Sequence, residues 1–227
     1  ETIAKAKAMN KSRLRQLALA RRKNVSARIF ALLNESAQQE FMDFITSFPQ
    51  PRIIMSFQPI VERKEVQMET IHQTLWSLGH KLCFPRVEGE DSMLAYLMQK
   101  DDTFVTSAWG IQEPNPLTHT KIPATDIDLI IIPLLAFDSK GNRVGYGKGF
   151  YDRFLMDCRP DAIKIGICLD EAVQRIDDVE AHDIPLDLCI SHLETVLTST
   201  HFCMVVPNLP LPPGMSISSP HPTHGQG

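Results

Sequence analysis

The chain has 227 residues, 43% hydrophobic and 22% charged, with a formal net charge of −4. That length suits one large domain or two small ones, with a core that needs no disulfide or metal staple, and the acidic balance excludes a general nucleic-acid binder. No apolar run approaches the roughly 18 residues of a membrane span, and the odd set Cys83, Cys158, Cys168, Cys189 and Cys203 lacks any Cys-x-x-Cys pair, which argues against a disulfide framework or zinc knuckle and for a reducing compartment.

The N-terminus is strongly basic. Lys5, Lys7, Lys11, Arg13, Arg15, Arg21, Arg22, Lys23 and Arg28 face Glu1 alone as an acid. Such a run is either a solvated basic helix or the side that meets an anionic partner. The expected compartment is the cytoplasm, with a mitochondrial address left open because presequences are also basic and acid-poor. Residues 11–22 lack Gly and Pro, which predicts a first helix. Asn24 or Ser26 caps a second helix through Phe30, Leu33 and Phe41, closed by Pro49 and Pro51.

Residues 52–57 (RIIMSF) then read as a strand. Met68, Ile71, Leu75 and Leu78 predict a helix over 66–78, with Gly79 as its C-cap and residues 81–84 as the next strand. This strand–helix–strand unit implies a parallel sheet with helices on its faces. Another strand is predicted over 93–98, then a proline-rich loop over 109–116. The run 127–137 (IDLIIIPLLAF) reads as a strand buried on both faces, with Pro133 its break or end. A glycine loop and a helix follow, then a strand over 163–169 and one or two short strands within 187–196. Six prolines from Pro207 onward predict a disordered or loosely attached tail. The parse is one α/β domain over 1–206 and a tail over 207–227.

Gly145, Gly147 and Gly149 alternate with Tyr146 and Lys148. Missing β-carbons let the backbone approach a ligand, and successive amides can form a nest for an anion. A helix starting near Phe150 adds its positive end. Lys148 supplies a full charge and Arg143 a bidentate fork for phosphate oxygens. Two common phosphate motifs fail, however. Gly141 lies one residue too far from Gly147 for a Walker A loop, and Gly149 stands where that loop needs Ser or Thr. The dinucleotide fingerprint needs glycine where Phe150 stands. The spacing therefore describes an anion-binding turn and names no nucleotide; a plain glycine hairpin satisfies it too. Asp152 is either a first-turn acid or a Mg²⁺ ligand beside phosphates. Tyr151 either stacks on an aromatic ligand or belongs to the core. His182, Asp183, Asp187 and His192 are of metal-ligand type but scattered.

At these residues the sequence resembles a known family. GNRVGYGKGFYDRFL, residues 141–155, is similar to the signature of the 5-formyltetrahydrofolate cyclo-ligases. KSRLR, residues 11–15, resembles that family's N-terminal Lys-x-x-x-Arg. RIIMSF, the segment 65–87, WGIQEP, DLIIIPLLAFD and HDIPLD follow in the family's order. The resemblance covers about residues 10 to 200. It implies a single three-layer α/β domain of CoA transferase-like type, with a mostly parallel sheet flanked by helices. It also implies an ATP- and Mg²⁺-dependent enzyme that cyclises 5-formyltetrahydrofolate to 5,10-methenyltetrahydrofolate, releasing ADP and phosphate, and that works as a monomer without nucleic-acid or membrane partners.

The same resemblance gives roles to residues. Lys11, Arg15, Arg143, Val144, Gly145, Tyr146, Gly147, Lys148, Gly149, Phe150 and Tyr151 would bind ATP, with Lys148, Tyr151 and Arg143 at the reaction. Asp152 and Asp183 would share Mg²⁺. Phe57, Trp109, Tyr151 and a glutamate would bind the folate, and Glu113 would help line the pocket. That glutamate is Glu65 when counted back from the helix end and Glu62 when counted forward from Phe57; the register favours Glu65. A relative acting on another acyl or formyl substrate and a non-catalytic ligand-binding protein remain the competing readings.

Overall fold

A computed structural model describes residues 9–46, 48, 50–108, 110–193 and 195–198. The elements are α1 (Lys11–Asn24), α2 (Ala27–Ile45), β1 (Ile53–Met55), α3 (Glu69–Ser77), β2 (Lys81–Glu88), β3 (Ser92–Met98), β4 (Val105–Thr106), β5 (Gln112–Glu113), β6 (Lys121–Ile122), β7 (Leu129–Pro133), β8 (Ala136–Phe137), β9 (Arg143–Val144), α4 (Phe150–Met156), β10 (Ile163–Ile167), β11 (Leu188–Ile190) and β12 (Thr195–Leu197). One sheet has the order β12-β11-β10-β7-β1-β2-β3-β6. Its inner strands β11, β10, β7, β1 and β2 are parallel; β12, β3 and β6 join antiparallel at the edges.

The period-two pleat sorts β7 onto two cores. Leu129 and Ile131 pack with Phe41 and Phe44 of α2 and Ile71 and Leu75 of α3. Ile130 and Ile132 pack with Phe154 and Leu155 of α4 on the opposite face. An apolar residue at every position is what a strand covered on both faces requires. This is the three-layer, mostly parallel α/β domain that was expected. A third, small cluster seats Leu14 of α1 on Ala136 and Val144 of the β8–β9 hairpin. No helix among the described residues is long and apolar enough to cross a membrane.

Several boundaries differ from the periodicity. Ser26, not Asn24, caps α2, its side chain accepting from the Ile29 amide. α3 starts at Glu69 although Val66 and Met68 are buried. The segment before it is non-helical and tied to α2, where Asn34 accepts from the Gln67 amide at 2.7 Å and Gln38 donates to the Gln67 carbonyl. β2 runs four residues past Phe84 because β3 pairs with it from Leu82↔Met98 to Glu88↔Ser92. β7 ends at Pro133, and the rest of the apolar run leaves the sheet to pair as β8 with β9. The tail from Pro207 lies outside the described residues.

His72 of α3 is fully buried, with Nε2 2.7 Å from Ser56 Oγ at the end of β1. Burial lowers its pKa from 6.5 to about 4. Between those values the unfolded chain binds the proton and the native protein does not, so stability is full above pH 6.5 and falls as pH drops towards 4. His72→Gln is expected to flatten that slope in urea unfolding measured across the window. An unchanged slope would place the acid sensitivity elsewhere.

Candidate active site

The sheet topology marks a place for a ligand. From β1 the chain crosses to β2 on one side, and from β7 to β10 and β11 on the other. Open α/β sheets bind ligands outside the carboxyl ends of strands at such a reversal. Phe57 follows β1 there and Leu134 follows β7.

α1 lies across this end like a clasp. Leu14, Ala18 and Arg22 recur every four residues and are buried. Lys11, Arg15 and Arg22, four and seven residues apart, share that side of the helix, and each binds a loop distant in sequence. Lys11 pairs with Asp183. Arg15 Nε donates to the Gly145 carbonyl at 2.9 Å. Arg22 donates to the Leu134 carbonyl at 2.7 Å and, at 3.4 Å, to the Tyr146 hydroxyl. Arg21 pairs with the buried Asp170 after β10. The solvated reading therefore fails for Lys11, Arg15, Arg21 and Arg22 and holds for the exposed Arg13 and Lys23 of the same helix.

The glycine loop joins β9 to α4. Gly147 (φ +86°) and Gly149 (φ +68°) adopt left-handed backbone that L side chains rarely take. A β-carbon on Gly147 would also stand 3.2 Å from the Arg15 guanidinium. Gly145 has open space at that position. Lys148 is exposed, and its carbonyl accepts from Arg153 at 2.9 Å. Val144 is fully buried in the cluster with Leu14 of α1. Phe150 is half-buried beneath the Arg153 guanidinium.

Behind the loop, Arg143 is committed to the protein. It donates to the Ile184 carbonyl and pairs with Asp152 at 2.7 Å. Asp152 Oδ1 also accepts from the Ile184 amide at 3.2 Å, which puts residue 183 beside it. Asp183 Oδ2 accepts from Lys11 and from the Glu180 amide. Burial opposes the charge on Asp183, but the Glu180 amide and Lys11 outweigh it and hold the carboxyl below its ordinary range. Each carboxylate thus uses one oxygen in these contacts, Oδ1 of Asp152 and Oδ2 of Asp183. The scattered four-residue metal reading fails: His182 pairs with Glu180, Asp187 with Lys164, and no group of three or more ligand-type residues converges among the described residues.

The other side of the site separates the two glutamates. Glu62 is exposed on a 3-10 turn, Val61–Arg63. Glu65 is buried, with Oε2 accepting from the Ile60 amide at 2.6 Å and Oε1 from the Tyr146 hydroxyl. Burial raises its pKa despite those bonds and the nearby Arg22 and Arg63. Arg63 lies 4.4 Å over the Tyr146 ring. Burial and then the Glu65 charge push the half-buried Tyr151 phenol upward, with Arg143 opposing. Phe57 is buried in the adjoining core. Glu113 sits apart from these groups in its contacts, bound to the Val87 amide and Arg86. Trp109 lies outside the described residues. Arg22 carried no individual prediction; its spacing from Lys11 and Arg15, with Leu14 and Ala18 between, was the available signal.

A family model described as the 5-formyltetrahydrofolate cyclo-ligase family matches residues 7–192. The chain belongs to the 5-formyltetrahydrofolate cyclo-ligase family. Membership makes it an enzyme, a ligase of folate metabolism. A probable 5-formyltetrahydrofolate cyclo-ligase of Schizosaccharomyces pombe is 30% identical over 147 residues, 60% of this chain and 70% of the relative. The Mycoplasma pneumoniae cyclo-ligase is 29% identical over 185 residues, 81% of this chain and 99% of the relative. Two solved 5,10-methenyltetrahydrofolate synthetases share the fold. That of Mycoplasma pneumoniae has a TM-score of 0.64 at 24% identity, covering 81% of this chain and 99% of its own. That of Aquifex aeolicus has a TM-score of 0.66 at 24% identity, covering 95% and 100%.

Proposed function

We propose that this enzyme uses MgATP to convert 5-formyltetrahydrofolate to 5,10-methenyltetrahydrofolate, with release of ADP and phosphate. The observation that carries the reading is the convergence of α1 cations, the glycine loop and the buried Glu65 at one reversal of the sheet. The loop and Lys11, Arg15 and Lys148 form the nucleotide side. Glu65, Phe57 and Tyr151 form the folate side, with the exposed Glu62 set aside.

In the reaction the formyl oxygen attacks the γ-phosphorus and ADP leaves. N10 then attacks the activated formyl carbon, loses its proton to the departing phosphate or solvent, and phosphate leaves with the former formyl oxygen. No protein nucleophile is required. The chain contributes by fixing both substrates and by placing cationic and amide donors where phosphate charge develops. Arg143 acts through Asp152 and Ile184, holding the carboxylate in place.

Asp152 and Asp183 fit a magnesium ion that takes most of its ligands from phosphate and water. Their oxygens outside the contacts described, Oδ2 of Asp152 and Oδ1 of Asp183, are the ones that would hold it. Such an ion would neutralise charge on the transferring phosphate. Asp152→Asn keeps an acceptor for Arg143 and removes the charge. It is expected to raise the Mg²⁺ concentration for half-maximal rate by roughly tenfold or more; an unaltered Mg²⁺ titration argues against the ligand role.

The direct test mixes the protein with MgATP and 5-formyltetrahydrofolate and follows the methenyl product by absorbance. Product that depends on all three supports the proposal. Folded protein that turns over ATP only with another formyl or acyl compound overturns the substrate assignment.

A further inference from the structure

Tyr146 stands on the nucleotide loop, yet its hydroxyl donates to Glu65, the acid placed on the folate side. The contact joins residues 81 positions apart in sequence. Behind it, Arg22 is 4% exposed, an unusual cost for a cation. Its NH2 is anchored on the Leu134 carbonyl, its NH1 reaches the Tyr146 hydroxyl at 3.4 Å, and its Nε is buried with no hydrogen-bond partner among the described residues. Arg63 covers the ring of the same tyrosine, and Lys64 donates to the Val25 carbonyl at 2.7 Å, fastening the Glu65 turn to the end of α1. A buried cation, a phenol and a buried carboxylate thus form a chain from α1 through the nucleotide loop to the folate acid.

We propose that Tyr146 couples the two substrate sites: its hydroxyl fills the Glu65 oxygen that a folate N–H donor would use, and nucleotide binding to the glycine loop withdraws it. Arg22 is the positioning residue, offering the hydroxyl a fixed second partner at the sheet end. The inference rests on the function proposed above. Nucleotide and folate then bind with positive cooperativity. Each must tighten the other by the same factor, because linkage between binding sites is reciprocal. The factor is at least about tenfold, the worth of one hydrogen bond to a carboxylate.

The experiment is a calorimetric titration of the full chain with 5-formyltetrahydrofolate, with and without a saturating non-hydrolysable ATP analogue and Mg²⁺. The wild-type protein is expected to show at least about tenfold tighter folate binding in the presence of the analogue. In Tyr146→Phe, which removes only the hydroxyl, that factor is expected to fall to about one, because folate no longer competes for Glu65. Arg22→Lys should reduce the factor as well, and Tyr146→Phe decides the matter if the buried substitution does not fold. Wild-type protein that binds both ligands independently, or a Tyr146→Phe variant that keeps the full factor, overturns the coupling and leaves the proposed function standing. Wild-type protein that binds neither ligand overturns both.

Discussion

Lys148→Ala is expected to lower kcat/KM for ATP by roughly ten- to a hundredfold, the worth of a charge-assisted hydrogen bond of about 1.5–3 kcal/mol. The same change should leave stability nearly untouched, within about 0.5 kcal/mol. Lys148 is exposed, and among the described residues its ammonium makes no hydrogen bond or ion pair. The loop does not depend on that charge for its shape. Its left-handed turns at Gly147 and Gly149 are backbone properties, and Arg153 holds the Lys148 carbonyl rather than its side chain. Loss of ATP use without loss of stability would therefore report contact with phosphate. ATP titrations of initial rate and a thermal melt on one preparation separate the two. Unchanged ATP kinetics would remove Lys148 from the nucleotide site.

Gly141→Ala should do the opposite, damaging the fold first. Gly141 has φ +82°, and a β-carbon there would stand 2.5 Å from the Leu186 carbonyl oxygen. That neighbour is backbone. It cannot turn aside, because the Leu186 amide donates to the Gly141 carbonyl at 2.9 Å and the two segments are locked together. The turn is further shaped by Asp138, which accepts from the amides of Lys140, Asn142 and Ile176. Left-handed strain alone costs about 1–3 kcal/mol, and displacement of residues 183–187 adds to it. The expected fall in Tm is at least about 2 °C, from roughly 2–4 °C per kcal/mol for a chain of this size, and larger with the displacement. Asp183 lies in the displaced segment, so the variant should also need more Mg²⁺ even where it remains folded. A melt within about 1 °C of wild type would mean that the segment relaxes freely and that Gly141 is not a structural requirement.

The two substitutions show why parts of this site could be read from sequence and others could not. The glycine loop was legible because left-handed backbone and close approach exclude side chains, so the physical demand is written at the position that bears it. The β7 run was legible for the same kind of reason: an apolar side chain at each of Leu129 to Ile132 answers to burial on both faces of a sheet. The start of α3 was misplaced because Val66 and Met68 satisfy a helical period while being buried in an irregular segment that α2 holds through Asn34 and Gln38. Periodicity records burial and not the partner that enforces it.

The same limit applied to charge. Nine cations crowded near the N-terminus fit both a solvated helix and an anion-binding one, and composition could not choose. The folded chain removes Lys11, Arg15, Arg21 and Arg22 from the solvated class by giving them partners on loops far away in sequence, while Arg13 and Lys23 of the same helix stay exposed. Glu62 and Glu65 are likewise equal as acids and close in register. One is exposed and the other is buried against Tyr146, a difference created by the turn at Val61–Arg63 and by the arrival of the glycine loop. Local demands on backbone and burial, and with them the sheet, the loop and the family, were present in the residues one by one. Which cation meets which acid depended on contacts between segments distant along the chain, and only the packed fold brings those together.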